Sequence, residues 1–211
     1  VNEGEIAAMR RSSAAPVAAG SGDIAAVAED LSAAFASDPI FNWFMRADTR
    51  RDAARLKLFR LLVSIGLADG EILRPATGGA ASIWLPSESL GPSGFLQELR
   101  TLPTILQATG LSRLSRMSAM RAAMDKHHPM DRRHAYLWFV GVRPEAQGLG
   151  VGSRLLAAGL ERVDAQRLPA YLESSSPANV PLYRRHGFEL VREIHPAPGS
   201  PLLWPMWREA R

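Results

Sequence analysis

The chain has 211 residues, 46% hydrophobic and 22% charged, with 25 basic against 21 acidic side chains for a net charge of +4. It contains no cysteine, which excludes disulfides, thiolate metal sites and a covalent cysteine mechanism together and fits a cytoplasmic protein. No run approaches the roughly 20 apolar residues that span a bilayer, and no basic run or interleaving of aromatic with basic residues suggests nucleic acid; the arginine-rich surplus suits an anionic small ligand instead.

In chain order, residues 1–22 are rich in Ala, Ser and Gly and lack the basic start and leucine-rich core of a signal peptide. They are expected to be poorly ordered, with a weak first strand near Ser13–Ala18. Asp23 can cap a helix in which Ile24, Val27, Leu31 and Phe35 share a face, and Asp38-Pro39 stops it. After "IFNWFM" a second helix spans about Thr49–Leu67, with Leu56, Phe59, Leu62 and Val63 inward. Two short strands follow, Glu71–Arg74 and Ala80–Leu85, joined as a hairpin across Gly78-Gly79. Residues 90–128 are rich in Leu and Met and punctuated by Pro92, Pro103 and Gly110, which reads as a helical insertion before the central strand.

From His134 the pattern changes. "HAYLWFVGV" is an apolar run consistent with a buried strand, and Gly150–Gln166 is an amphipathic helix with Val151, Leu155, Leu160 and Val163 in phase. "PAYLESS" reads as a strand, "ANVPLYRRH" as a short helix, and "GFELVREIH" and "PLLWPMW" as late strands; the C-terminal segment can complete the sheet or serve a homodimer. The length favours a single domain. The expected fold is α/β, a mixed central sheet flanked by helices.

The most informative stretch is "FVGVRPEAQGLGVGSRLL", where a buried strand runs through a glycine-rich loop into a helix. The first turn of a helix has unpaired N–H groups and the positive end of the macrodipole, and glycines let a ligand come close to them. Strand, glycine loop and helix therefore form an anion cradle, most often for phosphate. Three phosphate loops compete. The dinucleotide fingerprint Gly-x-Gly-x-x-Gly is met at Gly148 and Gly150 but has Ser153 in third place, so a dinucleotide oxidoreductase is disfavoured. The P-loop needs a lysine that is not there. The pattern Gln/Arg-x-x-Gly-x-Gly/Ala is met in full by Gln147, Gly150 and Gly152.

That loop resembles motif A of the GNAT-type N-acetyltransferases. The likeness is wider than three residues: "VGVRPEAQGLGVG" resembles the family's central strand, turn and pyrophosphate loop, and "ESSSPANVPLYRRHGFELV" its next strand and motif B, with Asn179, Tyr183 and Gly187-Phe188 in place. It runs from about Ala135 to Trp207, with the acetyl-CoA-binding core at 134–195; the preceding half matches only in layout. Within the family, "YLESSSPANVPLYRRHGF" and the helical insertion look most like puromycin N-acetyltransferase and its bacterial relatives.

The resemblance implies acetyl-CoA as co-substrate, no metal, and a small-molecule amine as acceptor. Backbone groups of Phe139–Val142 would pair with the pantetheine arm, and an N–H near Val140 or Val142 would polarise the thioester carbonyl. Gln147, Gly148, Leu149, Gly150, Val151, Gly152 and Ser153 would hold the pyrophosphate, with Arg143, Arg154 or Arg184 adding charge or remaining solvated. Tyr183 is the implied general acid for the departing thiolate, or a tyrosine packing its helix on the sheet. Asn179 would bond the pantetheine amide or cap the helix before Pro181. Glu173 is the leading base, or a carboxylate paired with arginine; His134 is a weaker candidate. His127 and His128 cannot share a helix face, and Ser174, Ser175 and Ser176 lack a base, so direct attack in a ternary complex is the simplest scheme. Trp43, Trp84 and the Met-rich insertion fill the core or line an acceptor pocket. The alternative is a non-catalytic CoA-binding regulatory module of the same fold.

Overall fold

The computed structural model describes residues 3–91 and 95–211; Pro92, one of the breaks read from the sequence, lies outside them. Its elements are α1 (Glu3–Ser12), β1 (Val17–Ala18), α2 (Ile24–Ala34), α3 (Pro39–Phe44), α4 (Arg51–Asp69), β2 (Glu71–Arg74), β3 (Ala80–Pro86), α5 (Phe95–Thr109), α6 (Leu114–His127), β4 (Ala135–Val142), α7 (Val151–Ala165), β5 (Ala170–Ser174), α8 (Val180–Arg185), β6 (Glu189–Leu190) and β7 (Trp204–Arg208). The strands form one mixed sheet in the order β1-β2-β3-β4-β5-β7-β6. Every neighbouring pair is antiparallel except β4 and β5, which run parallel.

Side chains alternate across the sheet as strand periodicity demands. Ile83, Tyr136 and Tyr171 face a core built by Val27, Leu31, Phe41, Phe44, Leu58 and Phe59 of α2, α3 and α4. Trp84, Leu137 and Leu172 face the other way, onto Leu156, Leu160 and Val163 of α7 and Val180 and Tyr183 of α8. Trp84 is thus a core residue under α7, where Gly159 leaves room for its indole: a Cβ there would meet Trp84 Nε1 at 2.4 Å. Trp43 packs on the opposite face, so the two tryptophans do not share one pocket.

Several expectations need correction. The N-terminal segment forms α1, with Glu3 and Glu5 in its first turn and Arg10 and Arg11 in its last, each matched to the helix dipole. Its Met9 is buried against Leu73, Ala80 and Val151, and only Val17–Ala18 is strand. Asp23 does not cap α2; it accepts from the Gly20 N–H at 2.9 Å and pairs with Arg74 at 2.5 Å. "IFNWF" is the helix α3, with Pro39 in its first turn and Asp38 accepting from the Phe41 N–H at 2.9 Å. Pro103 lies inside α5 instead of between helices. The late strand "GFELVREIH" keeps only Glu189–Leu190 and an isolated bridge at Ile194.

Candidate active site

The β4–β5 ladder has only two pairs, Ala135 with Ala170 and Tyr136 with Tyr171. Beyond them the two parallel strands part, and β4 remains paired on its β3 side alone, up to Val142. A bulge near Ile83 and Trp84 leaves Trp138 as the extra residue, since Trp84 opposes Leu137 and Ile83 opposes Phe139. Trp138 and Phe139 consequently both pack towards α2 and α4, while Val140 packs towards α7. Ala135, Tyr136 and Leu137 are buried at the end of β4 that pairs on both sides, whereas Trp138, Phe139, Val140 and Val142 beyond the β5 ladder are half-buried, in line with a wedge opening at that edge.

The ladder also fixes which backbone groups face that wedge. The Arg143 N–H donates to Gly79 O at 2.9 Å. Pairing alternates along an antiparallel strand, so Val142 and Val140 turn their N–H and C=O away from β3, into the gap. There the Val142 carbonyl accepts from Gln147 Nε2 at 3.0 Å, which ties the glycine loop to the end of β4.

Gly148 and Gly150 both have φ of 76°, in the left-handed region that glycine adopts freely. Gly150 occupies the N-cap of α7, and no side chain caps that helix, so the first-turn N–H groups of Val151, Gly152 and Ser153 keep their hydrogen-bonding capacity. Gln147, Gly148 and Gly150 are exposed, whereas Val151 is buried and anchors the loop beside Leu149 and Leu155. Arg154 reaches across the loop, donating to Leu149 O at 3.1 Å and to Ser13 Oγ of the N-terminal segment at 2.7 Å. Ser153 Oγ lies 2.7 Å from His186 Nε2, and burial, then Arg185 and Arg208, push that imidazole's pKa down. Arg143 pairs with the buried Asp30 at 3.3 Å and Arg184 is exposed, so of the three arginines only Arg154 spans the loop.

Tyr183 is buried in the core under α7, its ring 6.1 Å from Phe188. Burial, then the nearby Asp38 carboxylate, raises its pKa well above the usual phenol value. Asp38 in turn accepts from Ser175 Oγ while capping α3, so α3, the end of β5 and α8 meet here. Asn179 stands at the start of α8 but is exposed and forms no cap; Ser176 accepts from the Ala178 N–H instead. It does not share the buried face of Tyr183.

Glu173 sits on β5 two residues beyond the last pair with β4, on the face of Tyr136 and Tyr171. Its side chain is 2% exposed, and His128 Nδ1 is 3.5 Å from Oε1. Neither carboxylate oxygen completes a hydrogen bond, nor does Tyr171 Oη. Burial, then the charge of Glu173, pushes the Tyr136 and Tyr171 phenols upward in pKa. His128 Nε2 is 3.0 Å from Nε2 of the fully buried His134, whose Nδ1 is 2.7 Å from Arg132 O. Burial, opposed by the Arg132 carbonyl, lowers the His134 pKa. Among the described residues no three His, Cys, Asp or Glu side chains gather to hold a metal ion. Along the chain, the glycine loop follows the Val140–Val142 edge of β4, Glu173 lies on β5 beyond the last pair with β4, and Tyr183 is buried on the α7 side of the sheet. Reading the sequence alone missed His128, Asp38, Ser175 and His186; the Tyr136 and Tyr171 phenols had a faint signal in their two-residue spacing from His134 and Glu173.

Comparison with known proteins agrees with this geometry. Residues 117–188 match the sequence model of the Acetyltransferase (GNAT) family. A mycothiol acetyltransferase of Paenarthrobacter aurescens is 41% identical over 69 residues, 30% of this chain and 21% of its own length; the chain spans about a fifth of such relatives. An uncharacterised N-acetyltransferase of Schizosaccharomyces pombe is 26% identical over 188 residues, 82% of this chain and 73% of its own. A solved structure from Corynebacterium glutamicum, described as histone acetyltransferase HPA2 and related acetyltransferase, superposes with a TM-score of 0.69 at 26% identity, covering 93% of this chain and 96% of that one. The parted β4–β5 pair, the glycine loop on α7 and the superposition together show the fold of the GNAT acyltransferases, with residues 117–188 similar to that family in sequence as well.

Proposed function

We propose that the chain transfers an acetyl group from acetyl-CoA to a primary amine of a small molecule, by direct attack in a ternary complex. The observation that carries this reading is the wedge between β4 and β5, which leaves the Val140 backbone and the Val142 N–H outside the ladder on a strand that leads through the glycine loop to an uncapped helix N-terminus. An uncapped N-terminus behind two left-handed glycines suits a pyrophosphate, and the parted strands suit an extended arm that pairs with backbone. In this reading Gln147 to Ser153 hold the pyrophosphate, and Val140 and Val142 hold the pantetheine arm, with Asn179 available to its amide. Acetyl-CoA supplies the activated acyl group as a thioester. A preorganised N–H at Val140 or Val142 stabilises the oxyanion that develops on the thioester carbonyl. Glu173 takes a proton from the acceptor amine, and Tyr183 gives its own to the departing sulfur.

The small acceptor is supported by α6, whose Met117, Met120 and Met124 pack on the same core as Trp43 and Trp138, on the sheet face that carries Glu173. Helices over that face suit a small acceptor better than a long peptide, and the sequence resemblance to puromycin N-acetyltransferase puts an antibiotic-like amine among the candidates, although relatives such as that of Paenarthrobacter aurescens are named mycothiol acetyltransferases instead. The test is a panel of aryl, alkyl and aminonucleoside amines with acetyl-CoA, read by free-thiol release. The chain has no cysteine to add background. Amine-dependent thiol release is expected; binding of acetyl-CoA with no release on any amine would make the chain a CoA-binding module.

A further inference from the structure

The trio of Glu173, His128 and His134 has a proton inventory that its geometry fixes. His134 Nδ1 faces the Arg132 carbonyl at 2.7 Å. A carbonyl carries no proton, so Nδ1 donates. In neutral His134 the other nitrogen, Nε2, is then a lone pair. His128 Nε2 lies 3.0 Å from it and must carry the hydrogen between them. The remaining nitrogen, His128 Nδ1, therefore meets Glu173 Oε1 at 3.5 Å as a lone pair facing a carboxylate, unless one more proton sits between them. Both Glu173 oxygens are buried and without a hydrogen bond, which is costly for a charged carboxylate. The Tyr136 and Tyr171 phenols face the carboxylate and can donate to it, but the His128 Nδ1–Glu173 contact is short of one proton.

We propose that His128, held in its Nε2–H form by His134, is a positioning residue that makes Glu173 a one-proton acceptor for the incoming ammonium group; the inference rests on the acetyl-transfer reading above. One N–H bond of the ammonium breaks, one O–H bond forms on Glu173, and the electron pair stays on nitrogen for the attack. The proton is then shared with His128 Nδ1 and leaves by way of His128, whose side chain is 8% exposed against 2% for Glu173. Tyr136 from β4 and Tyr171 from β5 face the carboxylate, Asp125 of α6 and Glu88 lie within electrostatic range, and Arg192 is the nearby cation.

Two measurements test this. On the intact protein, nitrogen-15 NMR of labelled histidines should show His134 protonated at Nδ1 and His128 at Nε2. His128 Nδ1 should gain its proton in a titration that moves when Glu173→Gln is introduced. In the thiol-release assay, His128→Gln should keep its KM for acetyl-CoA, lower kcat about 10–100-fold, and shift the acidic limb of the kcat–pH profile. The opposite His128 tautomer, a His128 titration indifferent to Glu173→Gln, or a His128→Gln enzyme with unchanged kcat and pH limb would each overturn the proposal. A wild-type protein that binds acetyl-CoA and acetylates no amine removes the reaction, and the proton role with it; spectra still showing the expected tautomers would then assign the failure to the acetyl-transfer reading and not to the trio's geometry.

Discussion

A phenol can protonate a leaving thiolate only while it still holds its own proton. Burial and the Asp38 charge keep Tyr183 protonated far above neutral pH, so its availability as an acid does not depend on pH across the physiological range. Tyr183→Phe removes one hydroxyl and leaves the ring packed on Phe188. It should lower kcat by about 10²–10⁴-fold while thermal stability and acetyl-CoA affinity stay nearly unchanged, as steady-state kinetics beside a binding titration would show. An equal fall in affinity would instead make Tyr183 part of the binding surface. Tyr183 and Glu173 could be proposed from the sequence because the family resemblance covers the segment in which they lie. His128 was not: it lies just past the end of α6, outside any periodicity, and reaches Glu173 only through tertiary packing. Asp38 read as a helix stop, and the same residue begins α3 and faces Ser175.

Elements with one dominant signal were readable within a few residues: α2, α4, the β2–β3 hairpin, β4, α7 and β5. The failures have local causes. β6 ends at Leu190 because the Val191 N–H donates to Pro205 O, which turns the missing N–H of Pro205 to the same side and breaks the ladder. The helix α1 was missed because Gly and Ser around it read as disorder, although its own Glu, Ala, Met and Arg favour a helix, which end charges and the burial of Met9 support. The clamp that joins β7 to α7 and the end of α8 was equally invisible. Arg208, 4% exposed, donates to both Asp164 oxygens at 2.6 and 2.7 Å and through Nε to His186 O at 3.0 Å. Removing one partner of a buried pair typically costs about 3–5 kcal/mol. The Asp164 side chain is 30% exposed, so Arg208→Ala should cost nearer 2–3 kcal/mol once solvent screening is counted, roughly 5–10 °C in Tm. Arg208 lowers the Asp164 pKa. A lowered acid contributes stability above its unfolded pKa, about 4, and loses it as pH falls through the folded value. The gap in Tm between wild type and variant should therefore narrow below about pH 4; a gap constant with pH would assign the clamp's worth to packing alone.

At the scale of the whole molecule, the sheet has two parts that meet weakly. β1 to β4 form one antiparallel run, β5, β7 and β6 another, and only two residue pairs join β4 to β5. α7 reinforces the junction, since its apolar face packs on Trp84 and Leu137 from one part and on Leu172 and Met206 from the other. A ligand seated in the wedge would add backbone pairing where the ladder stops, and so should stabilise the folded chain as a unit. With acetyl-CoA at 100-fold excess over its Kd, linkage gives about 2.7 kcal/mol, roughly 5–11 °C for a chain of this size. Thermal unfolding with acetyl-CoA and, separately, with NAD measures it. A rise with acetyl-CoA alone fits the wedge and loop acting as one site. A rise with NAD alone would mean that the glycine loop serves a dinucleotide despite Ser153, and would remove the basis for assigning Glu173 and Tyr183 to acyl transfer.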